Sequence, residues 1–258
     1  MTPSKNFLFA IHNLNVTYPM DNLEPKDVLK NIHQKFYKNH LYVVLGGNGV
    51  GKTTFVKAML GELETTELYK KYIKYNDQHI DAKSFVKQVR IGYIPQHPQE
   101  ALIDSFSIGE NFAFRPKIRN TLSLQSWLNT YVYSKKEEEK IRQFLTLYNF
   151  FDFLYDNLNE PVSNLSGGQQ QLLNLAIVLY LKPDLIIMDE PTSKLDSEKK
   201  SEFWKSIFEL HRDENNQMTF IITTHDKDLV NFGNKENCTK LFIDDKNYAI
   251  CENHIELI

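Results

Sequence analysis

The chain has 258 residues, 41% of them hydrophobic and 24% charged, with a formal net charge of −3. That length buries a full core, as one large domain or two small ones, and the charge advertises no nucleic-acid footprint. The longest strongly apolar stretch, Leu172 to Leu181, contains Asn174 and is too short to span a bilayer. Phe7-Leu8-Phe9-Ala10-Ile11 is too short for a signal-peptide core and has no cleavage site after it. The two cysteines, Cys238 and Cys251, have no metal-ligand spacing and fit a reduced, cytosolic setting.

In chain order, Phe9, Ile11, Leu14 and Val16 alternate roughly and predict a strand over 9–18, ended by Tyr18-Pro19. Asp21 to Asp27 reads as a turn-rich polar loop. Val28 to Tyr37 and Leu41 to Leu45 predict two more strands, the second mostly apolar and central. A helix follows from about Gly51 to Leu60, with Gly61 as its stop. Ile91 to Ile94 is a short strand closed by Pro95. Residues 106–160 change in character. They are aromatic and charged, with helical spacing at Ile141, Phe144, Leu145 and Tyr148, and they read as a helical insertion. Lys135 to Lys140 reads as a solvated helix face. Leu185 to Met188 and Phe220 to Thr223 predict buried strands separated by a helix around Ser197 to Leu210. Strands alternating with helices imply a largely parallel α/β sheet.

Six of the ten glycines fall in two short segments, Gly46, Gly47, Gly49 and Gly51, then Gly167 and Gly168. The first segment, Gly46-Gly47-Asn48-Gly49-Val50-Gly51-Lys52-Thr53-Thr54, directly follows a predicted strand. It is the phosphate-binding pattern G-x-x-x-x-G-K-[ST]. Its backbone N–H groups and the helix behind them form an anion nest. Lys52 is expected to reach the β- and γ-phosphates, and Thr53 to hold Mg²⁺. Leu185-Ile186-Ile187-Met188-Asp189-Glu190-Pro191 is an apolar strand ending in two carboxylates. Asp189 suits the Mg²⁺ water shell, and Glu190 suits orienting or deprotonating an attacking water. Read alone, such carboxylates equally cap the next helix. Leu165-Ser166-Gly167-Gly168-Gln169 precedes an apolar helix, with Ser166 and Gln169 at capping-box spacing. A plain cap does not need two consecutive glycines, and these let backbone close on an anion at the helix N-terminus.

Together and in this order, over about residues 9–230, these segments closely resemble the ATP-binding cassette (ABC) ATPases, mostly the nucleotide-binding subunits of membrane transporters. The resemblance implies an α/β P-loop NTPase with a mainly parallel core sheet and an N-terminal antiparallel β-subdomain. It also implies a single domain over 1–258, with an α-helical subdomain inserted at about 97–180. It implies that Tyr18 stacks on adenine and that Gln96, in Tyr93-Ile94-Pro95-Gln96, contacts Mg²⁺ and water and senses the transporter. Ser193-Lys194-Leu195-Asp196 is similar to the D-loop, and His225, in Thr223-Thr224-His225-Asp226, to the switch histidine on the γ-phosphate. Two such cassettes would sandwich two ATPs, each between one subunit's phosphate loop and the Ser166, Gly167, Gly168 and Gln169 segment of the other. Read singly, Tyr18 is a strand-end aromatic, Gln96 a turn residue and His225 a core histidine.

Three departures from the family stand out. Gly47 fills the second loop position and only loosens the turn. Leu172 and Ile177 stand where the helix after the Leu165–Gln169 segment usually carries arginines, which puts that helix's polar contacts in question. Lys194 replaces a small D-loop residue. Glu190, Gln96 and His225 are kept, so the site reads as competent. The expected protein is an ATP-hydrolysing subunit with ATP and Mg²⁺ as cofactors and a second copy as partner. It would power a separate membrane permease from the cytoplasmic face, docking through residues 97–116 with Phe106, Phe112 and Phe114 exposed. No nucleic acid is expected. The alternative is a soluble ABC ATPase outside transport, of the iron–sulfur-assembly type.

Overall fold

Five consecutive apolar residues, Leu41–Leu45, form strand β3, and all five are buried. Successive side chains of a strand point to opposite faces. Leu41, Val43 and Leu45 enter one hydrophobic core, and Tyr42 and Val44 a second. A strand covered on both faces needs no polar side, which is why the run is unbroken. The computed structural model describes residues 7–20, 23–63, 70–114, 133–213, 218–225, 238–243 and 250–252. Among these, β3 is flanked by β8 (Thr219–Thr224) and β9 (Cys238–Ile243). Beyond β8 lie β7 (Leu185–Asp189) and β6 (Ile91–Ile94), and β10 (Ile250–Glu252) edges the β9 side. All pairs are parallel except β9 with β10. The order β3-β8-β7 seats one strand between the end of the glycine loop's strand and the strand carrying Asp189.

A second, antiparallel sheet has the order β2-β1-β4-β5, from β1 (Phe7–Met20), β2 (Leu23–Tyr37), β4 (Ile73–Tyr75) and β5 (Gln78–Ile80). The polar loop expected over Asp21 to Asp27 is corrected here: β2 begins at Leu23, and Tyr18 pairs with Lys26 and Thr17 with Asp27. Pro25 is tolerated because β2 is an edge strand, where a missing N–H leaves no partner unbonded. Thr17 Oγ1 donates to Asp27 at 2.7 Å, and this bond, with Lys30, holds the Asp27 carboxyl below the usual range. Asn76 and Asp77, at φ 47° and 60°, make the two-residue turn between β4 and β5.

Helix α1 (Lys52–Leu60) runs from Gly51 to a left-handed Gly61, as its glycine stop predicts. Then come α2 (Ala82–Gln88), α3 (Ile108–Phe114), α4 (Lys135–Leu145), α5 (Asp152–Asp156), α6 (Gly167–Tyr180) and α7 (Ser197–Arg212). Phe112 of α3, Phe144 of α4, Phe151 just before α5 and Tyr180 at the end of α6 meet in edge-on and tilted ring contacts. Phe112 is therefore fully buried, not exposed as its sequence position suggested. Phe106 and Phe114 are half-buried and pack edge to face at 5.8 Å. Helix α6 lies close on β6, where any side chain at Gly92 would collide with Val178. Residues 115–116 of the expected docking segment lie outside the described residues.

Candidate functional site

The loop Gly46 to Gly51 connects the C-terminal end of β3 to α1. Gly51 sits at φ 105°, and a Cβ there would lie 3.0 Å from the Val28 carbonyl oxygen. Both the backbone angle and the approach of β2 therefore require glycine. At Gly47 an added Cβ meets only Val50 at 3.7 Å, so this position tolerates a side chain. No side chain caps α1 and no acidic residue stands in its first turn. Its leading amides are donors that no side chain among the described residues takes up. Asn48, Gly49 and Thr53 are exposed beside them, Thr54 is half-buried and Val50 anchors the loop in the core.

Lys52 turns back into this loop. Its ammonium donates to Gly46 O at 2.8 Å and Gly47 O at 2.6 Å, and pairs with Glu190 Oε1 at 2.9 Å. Three N–H donors thus have three acceptors. The side chain is 4% exposed, and an ammonium so buried needs such partners. Glu190 comes from the end of β7, with its backbone at φ 44°. Its second oxygen stands 2.9 Å from His225 Nδ1. A carboxylate only accepts, so Nδ1 carries the proton and Nε2 faces away from Glu190. His225 is 43% exposed. It lies just past the end of β8 beside Glu190 and is not the core histidine that its sequence position alone allows.

Asp189, 2% exposed, accepts a 2.6 Å hydrogen bond from Thr223 Oγ1. Burial, and secondarily the Asp189 charge, push the nearby Tyr93 phenol up. Gln96 follows β6 and is half-buried. Tyr18 lies two residues beyond Val16, whose cross-strand partner Leu29 touches the Gly51 position. The hairpin thus carries Tyr18 along the loop's flank. Asp189, with the Thr53 hydroxyl, is a hard oxygen donor set of the kind Mg²⁺ takes.

Ser166 and Gln169 do form the capping box: Gln169 N donates to Ser166 Oγ, and Ser166 N to Gln169 Oε1. Each side chain accepts from the other residue's backbone N–H, and among the described residues neither bonds Lys52, Glu190 or His225. Gly167 is exposed, with open space where a Cβ would point. Ser166, Gly168 and Gln169 line a cleft of about 500 Å³ with Leu172 and Leu195. The question over α6 is answered by neutral amides. Gln171 donates to Pro95 O and Asn174 to Pro98 O, while Gln170 accepts from Gln99. Ile177 is buried in the core and Leu172 half-buried. These amides and Thr223 were not singled out in the sequence. Their one signal was polar residues inside otherwise apolar runs.

The family described as ABC transporter matches residues 29–193. The chain belongs to the ABC transporter family. As an ABC transporter nucleotide-binding subunit it binds and hydrolyses ATP. It is 31% identical over 229 residues to the phosphate import ATP-binding protein PstB of Bacillus anthracis, covering 87% of this chain and 76% of that one. It is 32% identical over 217 residues to the zinc uptake system ATP-binding protein ZurA of Listeria monocytogenes, covering 84% and 77%. In fold this ABC subunit matches cbiO1 of Clostridium perfringens, part of the ABC transporter complex cbiONQ, with a TM-score of 0.71 at 24% identity over 95% and 87% of the two chains. It also matches the ATP-binding cassette MJ0796, a dimer bound to ADP and Pi, at 0.67 and 23% identity over 97% and 100%. The relatives are transport subunits, so the soluble alternative is not favoured. Among the described residues no helix is long and apolar enough to cross a membrane.

Proposed function

We propose that this subunit closes as a dimer around two ATPs and drives a membrane permease, and that Lys52, Glu190 and His225 form its hydrolytic centre. The observation that carries the reading is their convergence, with Glu190 held between Lys52 at 2.9 Å and His225 at 2.9 Å. The loop amides and Lys52 take the β- and γ-phosphates. When the γ-phosphate draws off Lys52, Glu190 is released to orient and deprotonate the attacking water. His225 Nε2 is then turned toward the γ-phosphate. Tyr18 stacks on adenine. Thr53, Gln96 and Asp189 would hold Mg²⁺, which supplies charge neutralisation on the phosphates. Ser166, Gly167, Gly168 and Gln169 close on the partner's ATP, and the open space outside Gly167 leaves room for it.

The whole chain, 1–258, acts as one ABC domain, with the helices over about 97–180 as its arm toward the permease. It sits on the cytoplasmic face and binds no nucleic acid. Because PstB and ZurA serve import and uptake, we place this subunit with an importer. Glu190→Gln tests the centre. Phosphate release should stop while ATP still binds and still promotes dimers in gel filtration. Turnover at the wild-type rate removes Glu190 from the mechanism.

A further inference from the structure

Thr223 is wholly buried near the end of β8, beside the Asp189 carboxylate that ends β7 and the backbone of Glu190 that follows it. Its hydroxyl has one proton and several neighbours. Asp189 Oδ1 lies at 2.6 Å and Met188 O at 3.4 Å, so the proton goes to the carboxylate. The oxygen's lone pairs remain, and Glu190 N–H donates to them at 3.1 Å. The same N–H also reaches Thr223 O at 3.0 Å. Glu190 stands at φ 44°, a region non-glycine residues enter only when their surroundings hold them there. Thr223 supplies both acceptors for that peptide.

We infer that Thr223 is a positioning residue for ATP hydrolysis: its hydroxyl fixes the Asp189 carboxylate and locks the left-handed Glu190 peptide that aims the Glu190 carboxylate at Lys52 and His225. The inference rests on the reading of Glu190 as the hydrolytic carboxylate. His225 lies two residues further along the chain, just past the end of β8. One hydroxyl therefore ties the Asp189 carboxylate and the Glu190 peptide to the strand end that delivers the histidine. Valine would keep the β-branched shape and the backbone acceptor but lose the hydroxyl. Serine would keep the hydroxyl and lose the methyl.

The test is steady-state ATPase of purified Thr223→Val, Thr223→Ser and Glu190→Gln, with thermal melting of each. Thr223→Val should lower kcat by about 10- to 100-fold, with KM for ATP within about twofold, because misaimed groups slow the step without weakening binding. Thr223→Ser should stay within about threefold of wild type. A fully active Thr223→Val overturns the inference, and so does a Thr223→Ser as impaired as Thr223→Val, because packing would then be the role. If Thr223→Val does not fold, Thr223→Ala against Thr223→Ser is read by the same criterion. Wild-type turnover in Glu190→Gln fails the underlying reading on its own. A dead Glu190→Gln beside an active Thr223→Val fails only the role of Thr223.

Discussion

Lys52 Nζ and Glu190 Oε1 stand 2.9 Å apart, joining the glycine loop to the end of β7. On the proposed mechanism the cation that takes phosphate is thus held by the carboxylate that takes water, and each masks the other until a stronger anion arrives. Lys52→Ala removes the cation facing the phosphates and releases Glu190 to His225 alone. Turnover should fall by at least about 100-fold, the scale seen when one charge-stabilising donor is lost. Phosphate release at the wild-type rate would disprove the loop's role.

Tyr18 is half-buried near the end of β1. If its ring stacks on adenine, Tyr18→Ala should weaken ATP binding by about 1–3 kcal/mol, as for other bases on aromatic rings. Equilibrium titration with a fluorescent ATP analogue reads this directly. An unchanged Kd returns Tyr18 to a strand-end packing role.

The proposed shared-site arrangement predicts complementation. Lys52→Ala loses its own phosphate grip, and Ser166→Arg fills the space that the partner's nucleotide needs. Each homodimer has two broken sites, whereas a mixed dimer has one site with both lesions and one with neither. Random mixing of the folded, inactive variants should restore about a quarter of wild-type activity for independent sites in a two-fold dimer. Full activity of Ser166→Arg alone would reduce the Leu165–Gln169 segment to a capped helix.

The docking segment needs a polar test. With Phe112 buried, its exposed residues among those described include Glu100 and Asp104. Glu100→Lys with Asp104→Lys should release the subunit from permease-bearing membranes and leave basal ATPase unchanged. Retention on membranes in a flotation assay would move the docking surface elsewhere.

His12 lies between His33 and His79, with ring centroids at 6.0 and 5.2 Å. Burial first, then His79, His33, Lys74 and Lys35, lower its pKa below 6.5. A lowered pKa means that the unfolded chain binds the proton more tightly. Stability is therefore complete above pH 6.5 and is lost as pH falls through the folded value. His12→Asn should flatten the melting temperature between pH 7 and about pH 5. An identical pH profile in the variant would show that His12 does not contribute.

Much of this fold is written locally. Leu41–Leu45 and Ile91–Ile94 match their predicted bounds because apolar runs meet a glycine or a proline at once. The hairpin was harder to read. Its register shifts repeatedly between Phe7 and Met20, so alternation fails just where the strand continues. β4 and β5 are three residues each, too short for alternation to show, and neither was predicted. At the site, residue type and spacing marked Lys52, Asp189 and Glu190, and His225 came only through the resemblance to the ABC family. They did not show that Lys52 and Glu190 touch, since that contact depends on where β7 and the loop meet in space. Thr223 passed as an ordinary strand residue, because a threonine beside apolar neighbours looks the same whether it packs or bonds.

Gln170, Gln171 and Asn174 fasten helix α6 to the 95–99 segment through uncharged amides, and Ile177 adds only dispersion. Mobile ions screen charges and leave such bonds almost untouched. This joint between the helix that follows Ser166 and the segment that carries Gln96 therefore keeps its stiffness from dilute buffer to concentrated salt. Added salt therefore acts on this subunit's ion pairs, such as Arg90 with Asp184, and not on this joint.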